Sequence, residues 1–233
     1  MRFGPVLQIT FIDEQHGWII DPFNVWKTDD GGIGWRHCLV PREPHLDGLF
    51  AGVYFNNALN GWLYGTRGKV WRTVAGGQTW YGKVVVPADQ DILSLFFSSE
   101  RVGWIATKGG KDIKGIYKTI DGGASWVVRE LPEKDTQIRS VHFISEDEGW
   151  LAGAGASVTT KSGVPIEGLL LHTTDGGSSW GRVHVNSEEP YFDRLFFVDS
   201  MHGWVVALNH VYATDDGGNT WYTTLNATGE EFN

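Results

Sequence analysis

The sequence contains a single cysteine, Cys38. No intrachain disulfide can form, and thiol-rich metal sites are excluded. Basic runs are scarce: 19 Lys and Arg stand against 28 Asp and Glu, a formal net charge of −9. Such a chain lacks the positive footprint that phosphates demand, which argues against nucleic acid as a partner. No stretch approaches the roughly 18 uninterrupted apolar residues of a membrane-crossing helix. The opening residues, Met1-Arg2-Phe3-Gly4-Pro5, lack the charged and apolar regions of a secretory signal. The histidines His142, His172 and His184 cluster in one region, but no close His/Cys set has metal-ligand spacing, and no metal or cofactor is expected.

Tryptophan and glycine, by contrast, are plentiful and ordered. A Gly-Trp pair recurs at Gly17-Trp18, Gly61-Trp62, Gly103-Trp104, Gly149-Trp150 and Gly203-Trp204. Each tryptophan follows a phenylalanine at one fixed spacing: Phe11, Phe55, Phe97, Phe143 and Phe197. A second signature comes after each pair and reads Thr28-Asp29-Asp30-Gly31-Gly32-Ile33-Gly34-Trp35 in the first copy. The others end at Trp80, Trp126, Trp180 and Trp221, and the aspartate recurs as Asp121, Asp175 and Asp216. The second copy carries Ala75 instead. The last two tryptophans, Trp26 and Trp71, sit just ahead of the turn threonine, where other copies have Tyr117, Leu171 and Tyr212. Every tryptophan is thereby used by the repeat.

Within a copy the pattern is strand-like. Val6 to Phe11, Gly17 to Ile20, Val25 to Thr28 and a run from Trp35 are short apolar segments separated by Gly, Asp and Asn. Four such segments in each copy make a meander. Repeated in tandem, a four-strand meander is the blade of a β-propeller. The expectation is an all-β propeller of five four-stranded antiparallel blades, at approximately residues 6–40, 50–86, 91–131, 137–186 and 191–226. A closed five-bladed ring is favoured over an arc of a wider propeller, because an open ring leaves two apolar blade faces bare.

The turn chemistry explains the second signature, an Asp box. Adjacent glycines accept positive φ, and an aspartate just before them can accept hydrogen bonds from turn N–H groups. The tryptophan that follows can pack over neighbouring strands, at about 3 kcal/mol for a buried indole. Asp30, Asp121, Asp175 and Asp216 are thus read as structural, together with Trp35, Trp80, Trp126, Trp180 and Trp221.

The pattern around Phe143 and Trp150, with Ile138-Arg139-Ser140-Val141-His142 before it and Leu170-Leu171-His172-Thr173-Thr174-Asp175-Gly176-Gly177 after it, resembles the photosystem II stability/assembly factor family. The resemblance extends over nearly the whole chain. It implies a non-enzymatic assembly chaperone that binds a newly made reaction-centre subunit, in the thylakoid lumen or periplasm.

In such a meander the connections between blades and the loops between second and third strands emerge at one edge. The Asp boxes and Gly-Trp turns emerge at the other. The first edge carries the variable loops, where specificity usually resides. Lys108, Lys111 and Lys114, with Arg67, Arg139 and Arg194 near the same rim, form a candidate surface for an acidic or carboxylate-bearing protein partner. The competing class is carbohydrate-active, since Asp-box propellers include sialidases and xyloglucanases. Hydrolysis needs two carboxylates about 5–9.5 Å apart, for which Asp47, Asp91, Asp135 and Asp193 are candidates. A lectin-like sugar ligand is the other alternative.

Overall fold

The computed structural model describes residues 4–42, 48–109, 115–133, 136–155 and 167–226. The first blade is β1 (Gln8–Phe11), β2 (Gly17–Ile20), β3 (Val25–Thr28) and β4 (Arg36–Cys38). The second is β5 (Phe50–Phe55), β6 (Gly61–Gly65), β7 (Lys69–Thr73) and β8 (Tyr81–Val84). The third is β9 (Gln90–Phe97), β10 (Gly103–Gly109), β11 (Gly115–Thr119) and β12 (Val127–Glu130). The fourth is β13 (Gln137–Phe143), β14 (Gly149–Ala154), β15 (Gly168–Thr173) and β16 (Gly181–Arg182). The fifth is β17 (Phe192–Phe197), β18 (Gly203–Ala207), β19 (His210–Thr214) and β20 (Tyr222–Asn226).

In each blade the strands lie side by side in chain order, and no helix occurs among the described residues. The protein is an all-β propeller of five four-stranded antiparallel blades. Two compact units divide it, Met1–Leu95 and Phe96–Asn233. The first holds blades one and two and most of β9. The second holds the rest.

Each Gly-Trp glycine exists to seat a phenylalanine. A Cβ on Gly149 would stand 2.4 Å from the Phe143 ring, and on Gly61 2.2 Å from that of Phe55. Both distances are far inside van der Waals contact, so only glycine lets the ring lie flat across the neighbouring strand. The tight turn before it is held by a short polar side chain. Asp13 Oδ1 accepts from Gln15 N and His16 N at 2.8 and 2.7 Å, and Ser145 Oγ does the same for Asp147 and Glu148 at 3.2 and 2.9 Å.

The Asp box centres on its threonine, to which the sequence pattern alone assigns no role. Thr173 Oγ1 accepts from Gly177 N at 2.9 Å and donates to Asp175 Oδ1 at 2.8 Å. The carboxylate in turn accepts from Ser179 N at 2.9 Å and Ser179 Oγ at 2.6 Å. Both glycines take positive φ, 65° at Gly176 and 74° at Gly177, which a side chain would strain. Where Ala75 replaces the aspartate, Thr73 Oγ1 still accepts from Gly77 N at 3.0 Å, and the turn keeps its form. The box then ties back to the preceding turn: Gly176 N donates to Asp147 O at 2.8 Å. The two turns at that end of the blade are one hydrogen-bonded assembly.

Packing between blades reuses one lock. Trp18 of β2 stacks on Phe55 of the next blade at 3.5 Å and 10°; Trp104 stacks on Phe143 at 4.7 Å and 3°; Trp150 stacks on Phe197 at 3.7 Å and 9°. A cation or imidazole from the third strand, opposite the indole in register, completes it. Lys27 lies 5.5 Å from Trp18, Arg72 5.7 Å from Trp62 and Lys118 4.6 Å from Trp104, while His172 stacks on Trp150 at 4.5 Å. Such contacts add to apolar burial. Lys118 Nζ also donates to Gly176 O at 2.6 Å, so the cation of blade three grips the Asp box of blade four.

Burial is deepest at these Gly-Trp indoles. Trp18, Trp104 and Trp150 are fully buried. Among the box tryptophans Trp80 and Trp180 are buried, whereas Trp35, Trp126 and Trp221 are half-buried. Each box indole meets the blade's own phenylalanine edge-on, as Trp180 does Phe143 at 6.0 Å. Two residues of the pattern are partly exposed. Trp204 of blade five is 38% exposed with Ala213 opposite it, and Phe11 of blade one is 43% exposed.

Candidate functional site

Within each blade the start of the first strand marks a rim at the end away from the Asp box. In the second unit its best-formed feature surrounds Arg139 of β13. The Arg139 guanidinium lies 4.0 Å over the Tyr191 ring. Its Nη1 donates to Asp193 Oδ1 at 3.2 Å and its Nη2 to Gln137 Oε1 at 3.4 Å. A stacked, paired guanidinium is fixed in direction, and its donors can engage a second carboxylate without much further ordering. Tyr191 and Asp193 reach Arg139 because the connection into β17 and a bulge between Phe192 and Arg194 bring them beside β13.

At the other end of the first strands, next to the Gly-Trp turns, runs an aromatic row. His142 lies 5.0 Å from Phe96 and 5.1 Å from Phe196, and its Nε2 donates to Phe197 O at 2.8 Å. Burial lowers the His142 pKa below its usual value, the Phe197 carbonyl opposing that shift. The ring is therefore neutral near pH 7, which suits a packing role more than a charged one.

Of the six rim residues named from sequence, Arg139 and Arg194 come together around Asp193. Arg194 Nη1 donates to Asp193 O at 3.0 Å. Its side chain, however, shares a sheet face with Phe196 and Trp204, since β17 and β18 pair Arg194 with Val206 and Phe196 with Trp204. Lys108 is exposed near the end of β10. Lys111 and Lys114 lie outside the described residues. Arg67 belongs to the first unit, in the turn between β6 and β7 with φ 62°, and its N–H donates to Asp91 Oδ1 at 3.2 Å.

Two rim clusters escaped the sequence reading. Glu189, buried in the connection before β17, contacts His210 Nδ1 at 2.5 Å and accepts from Asn209 N at 3.2 Å. Arg182 of β16 joins Glu133 at 2.9 Å and Glu167 at 3.1 Å. Their partners come from loops of unequal length, so no repeated spacing announces them.

Two of the four carboxylates considered for hydrolysis have partners in the structure. Asp193 pairs with Arg139, and Asp91 caps the Arg67 turn. Asp47 and Asp135 lie outside the described residues. Among the described residues no group of three or more His, Cys, Asp or Glu is arranged to hold a metal ion. No helix among them is long and apolar enough to cross a membrane.

The fold and its turns define an Asp-box β-propeller whose rim carries an anchored arginine. The family described as Photosynthesis system II assembly factor YCF48 matches residues 81–191, from β8 to the connection before β17, and supports the resemblance read from the repeat. No curated protein matches the sequence. Among solved structures, YCF48 bound to D1 peptide is similar with a TM-score of 0.61 and 16% identity, over 94% of this chain and 82% of that one. YCF48 from Cyanidioschyzon merolae is similar at 0.55 and 18%, over 94% and 84%. The GH74 enzyme of Niastella koreensis scores 0.70 at 15% identity, over 96% of this chain but 38% of that one. At such identities the structural likeness speaks to the fold.

Proposed function

We propose that this chain is a non-enzymatic protein-binding scaffold of the assembly-factor type, which holds an extended acidic segment of a partner at the Arg139 rim. The carrying observation is the fixed guanidinium, stacked at 4.0 Å on Tyr191 and tied to Asp193. The family match over residues 81–191 and the likeness to YCF48 bound to D1 peptide support the same reading. Lys108 adds positive charge to the same unit, and Lys111 and Lys114 are proposed to extend it. A rigid blade scaffold suits such a role, because little ordering is lost on binding.

The test is titration of a labelled D1 peptide by fluorescence anisotropy. Saturable binding is expected, weakened about tenfold or more by Arg139→Gln, in the range for losing a charge-assisted hydrogen bond. Unchanged affinity in a folded Arg139→Gln protein would remove the site. The second reading, a carbohydrate-active propeller, draws on the GH74 likeness. Hydrolysis of xyloglucan or aryl glycosides above background would replace the scaffold reading with it.

A further inference from the structure

The first strands of blades four and five each carry one residue more than the neighbouring strand can pair. In blade four Ile138 pairs with Gly153 and Ser140 with Ala152, which leaves Arg139 as the extra residue. In blade five Phe192 pairs with Ala207 and Arg194 with Val206, which leaves Asp193. A bulge turns its extra side chain away from the alternation of the ladder. Just beyond the bulges, Ser140 Oγ accepts from Leu195 N at 3.2 Å and holds β17 against β13. Two re-aimed side chains of opposite charge therefore meet across the seam between these blades.

The meeting is close but loosely made. Arg139 Nη1 reaches one Asp193 oxygen at 3.2 Å, longer than the roughly 2.7–2.9 Å of a tight charge-assisted bond. Gln137 Oε1 holds Nη2 at 3.4 Å, and Nε is buried with no hydrogen-bond partner. The side fork of the guanidinium, which needs Nε, is thus closed to a ligand, and only the Nη1/Nη2 end can offer a fork. Asp193 stands on that end. Its other oxygen lies 3.8 Å from Arg194 Nη1, which also donates to Asp193 O at 3.0 Å. A second cation is already beside the carboxylate.

We propose that Asp193 is an internal competitor for Arg139, displaced toward Arg194 when a partner's carboxylate takes the Nη1/Nη2 fork. This role rests on the Arg139 rim being the binding site, and it gives that site its threshold. The side chains of Arg139 and Asp193 are 30% and 42% exposed, and a single-point contact between such groups is worth little. It yields to a carboxylate that grips both nitrogens. A contact through one oxygen, equal to that of Asp193, does not clear the threshold. Arg194 keeps the displaced aspartate from being left without a cation.

Fluorescence anisotropy with a labelled hexaglutamate peptide at low salt tests this on the full chain. Asp193→Asn is made alone and in combination with Arg139→Gln. Alone, it should tighten binding about two- to fivefold, the worth of an exposed ion pair. In the Arg139→Gln background it should gain nothing, since the group it releases is gone. A gain of equal size in both backgrounds is a general charge effect and overturns competition. Weaker binding by Asp193→Asn overturns it as well, because the aspartate then serves only to aim Arg139. Unchanged affinity does the same while leaving the rim itself in place. No saturable binding by either the parent or Asp193→Asn removes the rim and the competitor together.

Discussion

Blades four and five carry the same signature at the same strand positions, yet they treat their central tryptophan differently. Trp150 is fully buried between the His172 and Phe197 rings, whereas Trp204 is 38% exposed beside Ala213. The motif therefore supplies half of a contact. Its energy appears only where a neighbouring blade brings the phenylalanine and the third strand brings the cation or imidazole.

The largest test of that contrast is truncation of the two indoles. Trp150→Ala should lower unfolding free energy by about 3–5 kcal/mol, the usual cost of emptying a buried aromatic site. Trp204→Ala should cost visibly less, because over a third of that residue is already in solvent. Urea unfolding of both variants measures this directly. Equal losses would mean that the two blades do not differ in solution.

A smaller effect separates the glycines. Gly149→Ala drives a methyl into the buried Phe143 ring and should cost about 1–3 kcal/mol by overpacking. Gly17→Ala meets Phe11 at a similar distance, 2.6 Å, but that ring is half in solvent and can swing aside. Its penalty should be visibly smaller in the same urea experiment. A Gly17→Ala protein as damaged as Gly149→Ala would show that Phe11 is held in place.

Much of this architecture was legible because it is periodic. The Phe, Gly-Trp and Asp-box positions fixed the blades, and two adjacent glycines announced a turn that requires positive φ. The box threonine was equally constant as Thr28, Thr73, Thr119, Thr173 and Thr214. Its central role was hidden because a hydroxyl that accepts from a backbone N–H while donating to a carboxylate looks in sequence like an ordinary strand end. The cation or imidazole on the indole was visible too, as the residue immediately before that threonine in four copies: Lys27, Arg72, Lys118 and His172. Counted from the tryptophan, however, it drifts with loop length, and only strand register shows that the two side chains are opposed. The rim was the least legible part. Arg139 was singled out for its charge, but Tyr191 and Asp193, which fix its direction, lie beside a bulge that blades two and four share and have no counterpart in the repeat signature.

The smallest expected effect concerns the Asp box, and it should ignore the difference between the two blades. Asp175 and Asp216 make the same bonds, to Thr173 and Ser179 in one case and to Thr214 and Thr220 in the other. Hydrogen bonds to the ionised form, led by the Ser179 hydroxyl, bring the Asp175 pKa from 3.8 down to about 2, and those from Thr220 lower that of Asp216. A carboxyl whose folded pKa is depressed favours the fold once the unfolded chain would also be ionised. Its contribution is therefore full above pH 3.8, shrinks as the pH falls, and is lost as the pH drops through about 2. Asp175→Ala should reproduce the box that Ala75 already makes, with the threonine still holding the turn, and so should leave the fold intact with a small loss at pH 7. The gap from the parent should close as thermal melts are repeated at lower pH toward 2. Asp216→Ala should behave alike, because the bonds involved lie within one turn and do not depend on whether a following blade covers the indole. A large disparity between the two variants at pH 7 would tie the box to the blade interface after all.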